Sequence, residues 1–149
     1  MTFRSSRAHP EEKFHRDVAG YLDLALPDGC WYTTIGHGGG GEFRGIRLKA
    51  AGMKAGVPDI LLISNSIALF IELKSNTGVL SDTQKETIPA IEKAGGRVKV
   101  CRTLEDVETA LLAWNIQPKV RLTSGKITDP STGMRLHTGK TAWAQFRPR

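Results

Sequence analysis

The stretch "GVPDILLISNSIALFIELK", residues Gly56–Lys74, decides the fold prediction because it holds two apolar runs separated by a turn. Aliphatic and β-branched residues dominate both runs, and Asn65 and Ser66 between them are of types that favour turns. The pattern predicts an antiparallel β-hairpin that turns at these two residues. Such a short turn fixes the register, so each residue of one run acquires a defined partner in the other.

Three charged side chains lie at the open end of this apolar hairpin, namely Asp59, Glu72 and Lys74. The register places Asp59 opposite Glu72, and Lys74, two residues further, projects from the same face. Two opposed carboxylates in apolar surroundings destabilise a sheet unless something compensates their repulsion. A proton, neutralisation by Lys74, or a divalent cation bound between the carboxylates would each do so. Without any such pairing, Asp59 would be a strand-start residue and Glu72–Lys74 an exposed edge.

The cation arrangement is the one that uses all three residues, and it suits phosphodiester hydrolysis. A metal ion polarises a phosphoryl oxygen and lowers the pKa of a bound water. A lysine beside it orients that water or stabilises the charge that develops in the transition state. The hairpin therefore raises the hypothesis of a hydrolytic metal site.

The segments on both sides of the hairpin alternate between helix and strand patterns. Ser81 and Gln84 have the spacing of a capping box, and Thr103 caps a further helix with Asp106 at its third position. We predict helices over 11–26, 46–55, 82–94 and 103–114, and strands over 30–35 and 97–102 beside the hairpin. The helix 82–94 makes a βαβ crossover, so its two strands should be parallel. The sequence therefore predicts the α/β class, with a mixed sheet flanked by helices.

Charge is distributed unevenly along the 149 residues, whose formal net charge is +6. Residues 115–149 hold seven Lys or Arg against one acid, which leaves residues 1–114 balanced. We therefore predict a domain over 1–114 and a basic extension over 115–149, which is extended or partly disordered apart from a small hairpin in "KVRLTSGKITD". A basic extension suits a polyanion such as nucleic acid, or simply aids solubility. Two cysteines form no disulfide framework, and no secretory leader or membrane span is evident, so we expect a cytoplasmic protein.

The glycine-rich segment "GHGGGGEFRGIRLKAAGMKAG", residues 36–56, is predicted to begin as a loop. Its basic side chains are hypothesised phosphate contacts, with a solvated surface as the alternative: Arg44, Arg47, Lys49 and Lys54. No element reads as a base-recognition motif, so if the polyanion is DNA we expect its shape or branching to be recognised.

Several of these segments together resemble the VRR-NUC family of the PD-(D/E)xK nuclease superfamily. The matching residues are "EEKFHRDVAGYL" (11–22), "GVPD" (56–59), "ELK" (72–74), "LSDTQ" (80–84) and "AGGRVKVCRTLEDV" (94–107). The resemblance implies a restriction-endonuclease-like fold, and the elements predicted above follow the order α-β-β-β-α-β-α, with one further short helix after the first strand. It also implies cleavage of DNA that depends on Mg²⁺ or Mn²⁺. Small phage or bacterial members of the family look like homodimers that act on branched DNA, including Holliday junctions.

The resemblance also implies roles for individual residues. Asp59 and Glu72 are expected metal ligands, Lys74 the catalytic lysine and Gln84 the glutamine that steadies the site. The first-helix acid, a further metal ligand, is expected at Glu11, with Glu12 as the alternative.

From these observations we predict a metal-dependent DNA endonuclease, structure-selective and homodimeric, in the cytoplasm of a bacterial or phage-infected cell. No membrane and no nucleotide cofactor are expected to take part. The alternatives are a non-catalytic nucleic-acid-binding protein of the same fold, and a structural subunit whose basic tail docks on another protein.

Overall fold

The computed structural model describes residues 10–36 and 42–137, and of residues 42–44 the backbone alone. The chain forms two compact units, Asp28–Arg102 and Met1–Pro27 with Thr103–Arg149. Its elements are α1 (Pro10–Ala25), β1 (Trp31–Thr34), α2 (Glu42–Ala50), β2 (Ile60–Ser64), β3 (Ile67–Leu73), α3 (Asp82–Lys93), β4 (Arg97–Cys101), α4 (Leu104–Ala113), β5 (Arg121–Thr123) and β6 (Lys126–Thr128). Among the described residues, no helix is both long and apolar enough for a bilayer.

A mixed sheet forms the centre of the unit Asp28–Arg102, which we call the sheet unit. Its strand order is β1-β2-β3-β4. The first three strands are antiparallel neighbours, and β3 and β4 are parallel on either side of the α3 crossover. The predicted hairpin, the predicted crossover and the α/β class with a mixed sheet are thereby confirmed.

The turn between β2 and β3 explains why the predicted register is correct. Asn65 and Ser66 both have positive φ, 49° and 62°. A two-residue turn with this conformation at both positions matches the twist of the strands it joins, and Asn tolerates it well. The resulting pairs run from Ser64↔Ile67 to Ile60↔Ile71, as the sequence predicts.

Local hydrogen bonds at the helix ends set where the helices begin and stop. Both predicted N-terminal caps are present, at Ser81 for α3 and Thr103 for α4. The prediction was wrong for α2, which spans Glu42–Ala50 and not 46–55. Gly52 has φ 94°, and the amide of Met53 donates to the Leu48 carbonyl, a Schellman ending that stops α2.

The other unit pairs α1 with α4 and carries the predicted small hairpin, β5–β6. The Glu108 carboxylate of α4 accepts hydrogen bonds from the Tyr21 hydroxyl of α1 and the Leu122 amide of β5. Burial, and then the nearby Glu108 charge, raise the pKa of Tyr21 far above its ordinary value. The amide of Lys119 donates to the carbonyl of Ala25, which ties the chain after α4 to the end of α1. The predicted boundary at 114/115 stays a prediction.

Candidate functional site

The site is built at the open end of the β2–β3 hairpin, where three charged residues meet. Asp59 directly precedes β2, Glu72 lies near the end of β3, and Lys74 follows β3. Continuing the observed register by one pair sets Asp59 opposite Glu72. The two acids are 8% and 1% exposed, and Lys74 Nζ lies 3.0 Å from Glu72 Oε1. The structure therefore brings together the three residues that the sequence singled out.

Backbone groups on both sides hold Asp59 in place. Its Oδ2 accepts a hydrogen bond from the amide of Leu73 at 2.7 Å. Its carbonyl accepts from the amide of Ile35 at 2.6 Å, just after β1. Pro58 before it is fully buried and has a fixed φ. The residue after β1, the Leu73 amide of β3 and a rigid neighbour thus each contribute to the position of Asp59.

The Glu72 carboxylate is satisfied on one oxygen and not on the other. Its Oε1 accepts from Gln84 Nε2 at 2.5 Å and contacts Lys74 Nζ. Its Oε2 is buried and has no hydrogen-bond partner among the residues that the structure describes. A buried carboxylate oxygen without a partner costs stability, and such atoms in native proteins often mark a functional group or an unseen ion.

Gln84 makes hydrogen bonds both at the start of α3 and with Glu72, while its part in catalysis stays a prediction. Its backbone amide donates to Ser81 Oγ at 3.3 Å, and its side-chain Oε1 accepts from the backbone amide of Ser81 at 3.0 Å. These two hydrogen bonds close the capping box of α3. The remaining Nε2 is then directed at Glu72. The start of α3 and the orientation of the buried acid therefore depend on one side chain.

A close contact between α3 and the segment before Asp59 was not anticipated from the sequence. Gly56 has φ 75°, and a Cβ at this position would clash with the Thr83 carbonyl, 2.5 Å from its carbon, and lie 2.8 Å from the Gln84 nitrogen. One helical turn later, Thr87 Oγ1 donates to the carbonyl of Ala55 at 2.7 Å. In the sequence, the glycine of "GVPD" is the one sign of this close contact. The family resemblance includes this glycine but gives no physical reason for it.

The donor set fits a small divalent cation. Mg²⁺ is commonly held by one or two carboxylates together with water and substrate phosphates. Asp59 and Glu72 supply two carboxylates, and a cation would satisfy Glu72 Oε2, which no residue in the described part of the chain does. Within residues 10–36 and 42–137, no three His, Cys, Asp or Glu side chains cluster as a metal-binding group. In this part of the chain, protein side chains alone therefore do not form a complete set of metal ligands. The two carboxylates fit a site in which water and substrate phosphate supply the remaining ligands.

The predicted helix acids lie in the other unit. Glu11 and Glu12 occupy the first turn of α1, and both are exposed. Negative charge is favourable at a helix N-terminus, so their presence there has a local explanation. The metal-binding role of Glu11, and Glu12 as its alternative, stay predictions.

The predicted phosphate contacts lie on and just after α2. Arg47, Lys49 and Lys54 are exposed. The side chain of Arg44 lies outside the described residues, as does most of the predicted glycine loop. Ile46 is 63% exposed, so α2 displays an apolar side chain among its basic ones.

Comparisons with known proteins agree with this architecture. A family model described as "VRR-NUC domain" matches residues 41–104, which include Asp59, Glu72, Lys74 and Gln84. A solved structure of a "VRR_NUC domain protein" is similar with a TM-score of 0.55 and 19% sequence identity. The match covers 72% of this chain and 89% of that one, and at this identity it shows the fold. No curated protein matches the chain.

Proposed function

We propose that the protein is a DNA endonuclease, because residues 41–104 match the VRR-NUC family model. The proposed reaction is hydrolysis of phosphodiester bonds with Mg²⁺ or Mn²⁺, and branched DNA is the proposed substrate. The observation that carries the proposal is the buried Glu72, whose Oε2 has no partner among the described residues while Lys74 and Asp59 lie beside it.

The proposed metal ligands are Asp59 and Glu72, with Glu11 as a further candidate. A bound divalent ion would polarise a phosphoryl oxygen and lower the pKa of a water molecule, the proposed nucleophile. Lys74 is held by Glu72 at one N–H and has two further donors for a phosphate oxygen. Its charge would stabilise the negative charge that develops in the transition state. No side chain needs to form a covalent bond with DNA.

The residues around these groups keep them in place and limit access of water. Gln84 fixes the orientation of Glu72, and the amide of Leu73 fixes that of Asp59. Both carboxylates are almost fully buried, so charges at the site interact more strongly than they would in bulk water. A positioned and partly dry site is what electrostatic catalysis requires.

Recognition of DNA is proposed for the segment 45–55, "GIRLKAAGMKA", which contains three basic residues and no acid. Arg47, Lys49 and Lys54 are exposed and free to approach phosphates. Phosphate contacts position a protein on DNA without reading its sequence, which favours selection by shape. A homodimer acting on two strands in the cytoplasm of a bacterial or phage-infected cell completes the proposal.

Cleavage of a panel of linear, flapped, forked and four-way DNA substrates tests the proposal. We expect cleavage with Mg²⁺ or Mn²⁺, none with a chelator, and a preference for branched substrates. Lys74→Ala should lower the cleavage rate by about 100-fold or more, as loss of an electrostatic stabiliser does. Lys85→Ala is the matched control, since Lys85 is an exposed lysine of α3 and its ion pair within the described residues is with Asp82, three residues away.

Two outcomes would contradict the proposal. Wild-type protein that binds branched DNA but cleaves none of the substrates would indicate a non-catalytic binding protein of this fold. Equal cleavage by Lys74→Ala and Lys85→Ala would show that the lysine beside Glu72 has no part in the chemistry.

A further inference from the structure

Two contacts join α3 to the segment that precedes Asp59, and we call this pair of contacts the clip. One is the hydrogen bond from Thr87 Oγ1 to the carbonyl of Ala55, and the other is the close approach of Gly56 to the first turn of α3. From the clip we infer that Thr87 is a positioning residue, which holds Asp59 at a set distance from Glu72. The consequence for metal binding rests on the proposed function; the consequence for the position of Asp59 does not.

The clip completes a closed ring of contacts around the two carboxylates. From α3, Gln84 reaches Glu72 directly. From the same helix, Thr87 holds Ala55, and between Gly56 and Asp59 the chain has only two residues, of which Pro58 is rigid and buried. From Asp59 the ring closes through the Leu73 amide, which is next to Glu72. A shift of segment 55–58 away from α3 would therefore move Asp59 relative to Glu72.

The hydroxyl of Thr87 is not needed to form α3. The helix has a complete capping box at Ser81 and a Schellman ending at Gly95 and Gly96, so both of its ends are satisfied without Thr87. In α4, Thr109 uses its hydroxyl for the carbonyl of Glu105 in its own helix. Thr87 instead donates to a different segment, which is what a residue that positions that segment would do.

Thr87→Val and Thr87→Ser form a matched pair for testing the inference. Valine keeps the shape of threonine without the hydroxyl, serine keeps the hydroxyl, and all three have similar helix propensities. The first measurement is amide hydrogen exchange of the metal-free protein by NMR. The amide of Leu73, bonded to Asp59 Oδ2, is the reporter, and that of Lys74, bonded to the Cys101 carbonyl, is the internal control.

We expect Leu73 to exchange about three- to tenfold faster in Thr87→Val, the factor for loss of one ordinary hydrogen bond. Lys74 should change less than twofold, and Thr87→Ser should behave like the wild type. The second measurement is Mn²⁺ affinity by calorimetry without DNA, which should fall about three- to tenfold in Thr87→Val and recover in Thr87→Ser.

The two measurements separate this inference from the proposed function. Unchanged Leu73 exchange in Thr87→Val, or equal acceleration at Leu73 and Lys74, would overturn the inference, because the clip would then not act on Asp59. Accelerated Leu73 exchange in a protein that cleaves no DNA would support the clip while the nuclease proposal fails. Wild-type protein that binds no Mn²⁺ would overturn the metal-binding consequence alone.

Discussion

Replacing Gly56 with alanine tests the close approach of this residue to the first turn of α3, and Gly52→Ala is its matched control. Both glycines have positive φ, 75° and 94°, so alanine meets a backbone penalty of about 1–2 kcal/mol at either position. They differ in space: around a Cβ at Gly52 no described atom lies within 4 Å, whereas at Gly56 it would overlap Thr83 and Gln84 backbone. Backbone cannot swing aside as a flexible side chain can, so overpacking should add roughly 1–3 kcal/mol.

Urea unfolding followed by circular dichroism measures this difference. Gly52→Ala should lower the unfolding free energy by about 1–2 kcal/mol, and Gly56→Ala by about 2–5 kcal/mol. With a denaturant slope near 2 kcal/mol per M, the midpoint of Gly56→Ala should lie roughly 0.5–1.5 M below that of Gly52→Ala. Coincident midpoints for the two variants would refute the reasoning, because the penalty would then come from φ alone and not from contact with α3.

Two further predictions concern charge in other parts of the chain. Because the folded state favours the neutral phenol of Tyr21, whose pKa is raised, stability should be constant below the ordinary tyrosine pKa of about 10 and fall at higher pH. In thermal unfolding from about pH 8 to about pH 11, the stability of Tyr21→Phe should fall less than that of the wild type. An equal loss of stability in the two proteins would contradict this prediction. Separately, replacing Arg47, Lys49 and Lys54 one at a time by glutamine should each reduce the slope of log binding constant against log salt for duplex DNA by about 0.9. An unchanged slope would assign these side chains to a solvated surface.

The hairpin that decides the fold was predictable because its information is local. A two-residue turn of Asn and Ser determines the register, and the register alone sets Asp59 opposite Glu72. The capping box at Ser81 was predictable for the same reason, since its partners are three residues apart.

The clip was beyond a reading of the sequence because its partners are about thirty residues apart and one of them is a backbone carbonyl. No pattern of side chains in the sequence predicts which backbone carbonyl will accept a hydrogen bond from a distant residue. The start of α2 was missed because the glycines before it are weak helix formers, while its end was missed because Gly52 is a C-terminal stop rather than an interior residue. That Glu72 Oε2 has no hydrogen-bond partner among the described residues likewise follows from three-dimensional burial and from no sequence motif.

The two hydrogen bonds of the Gln84 side chain disfavour the replacement of this glutamine by glutamate. Capping boxes accept glutamate as readily as glutamine, because only the oxygen is used at the helix start. At position 84 the side-chain Nε2 faces the carboxylate of Glu72. Glutamate would therefore still accept from the Ser81 amide at the helix start, but it would place two carboxylates in contact. The helix start thus needs the oxygen of the side-chain amide, and Glu72 needs its nitrogen. Glutamine supplies both, whereas glutamate supplies the oxygen alone.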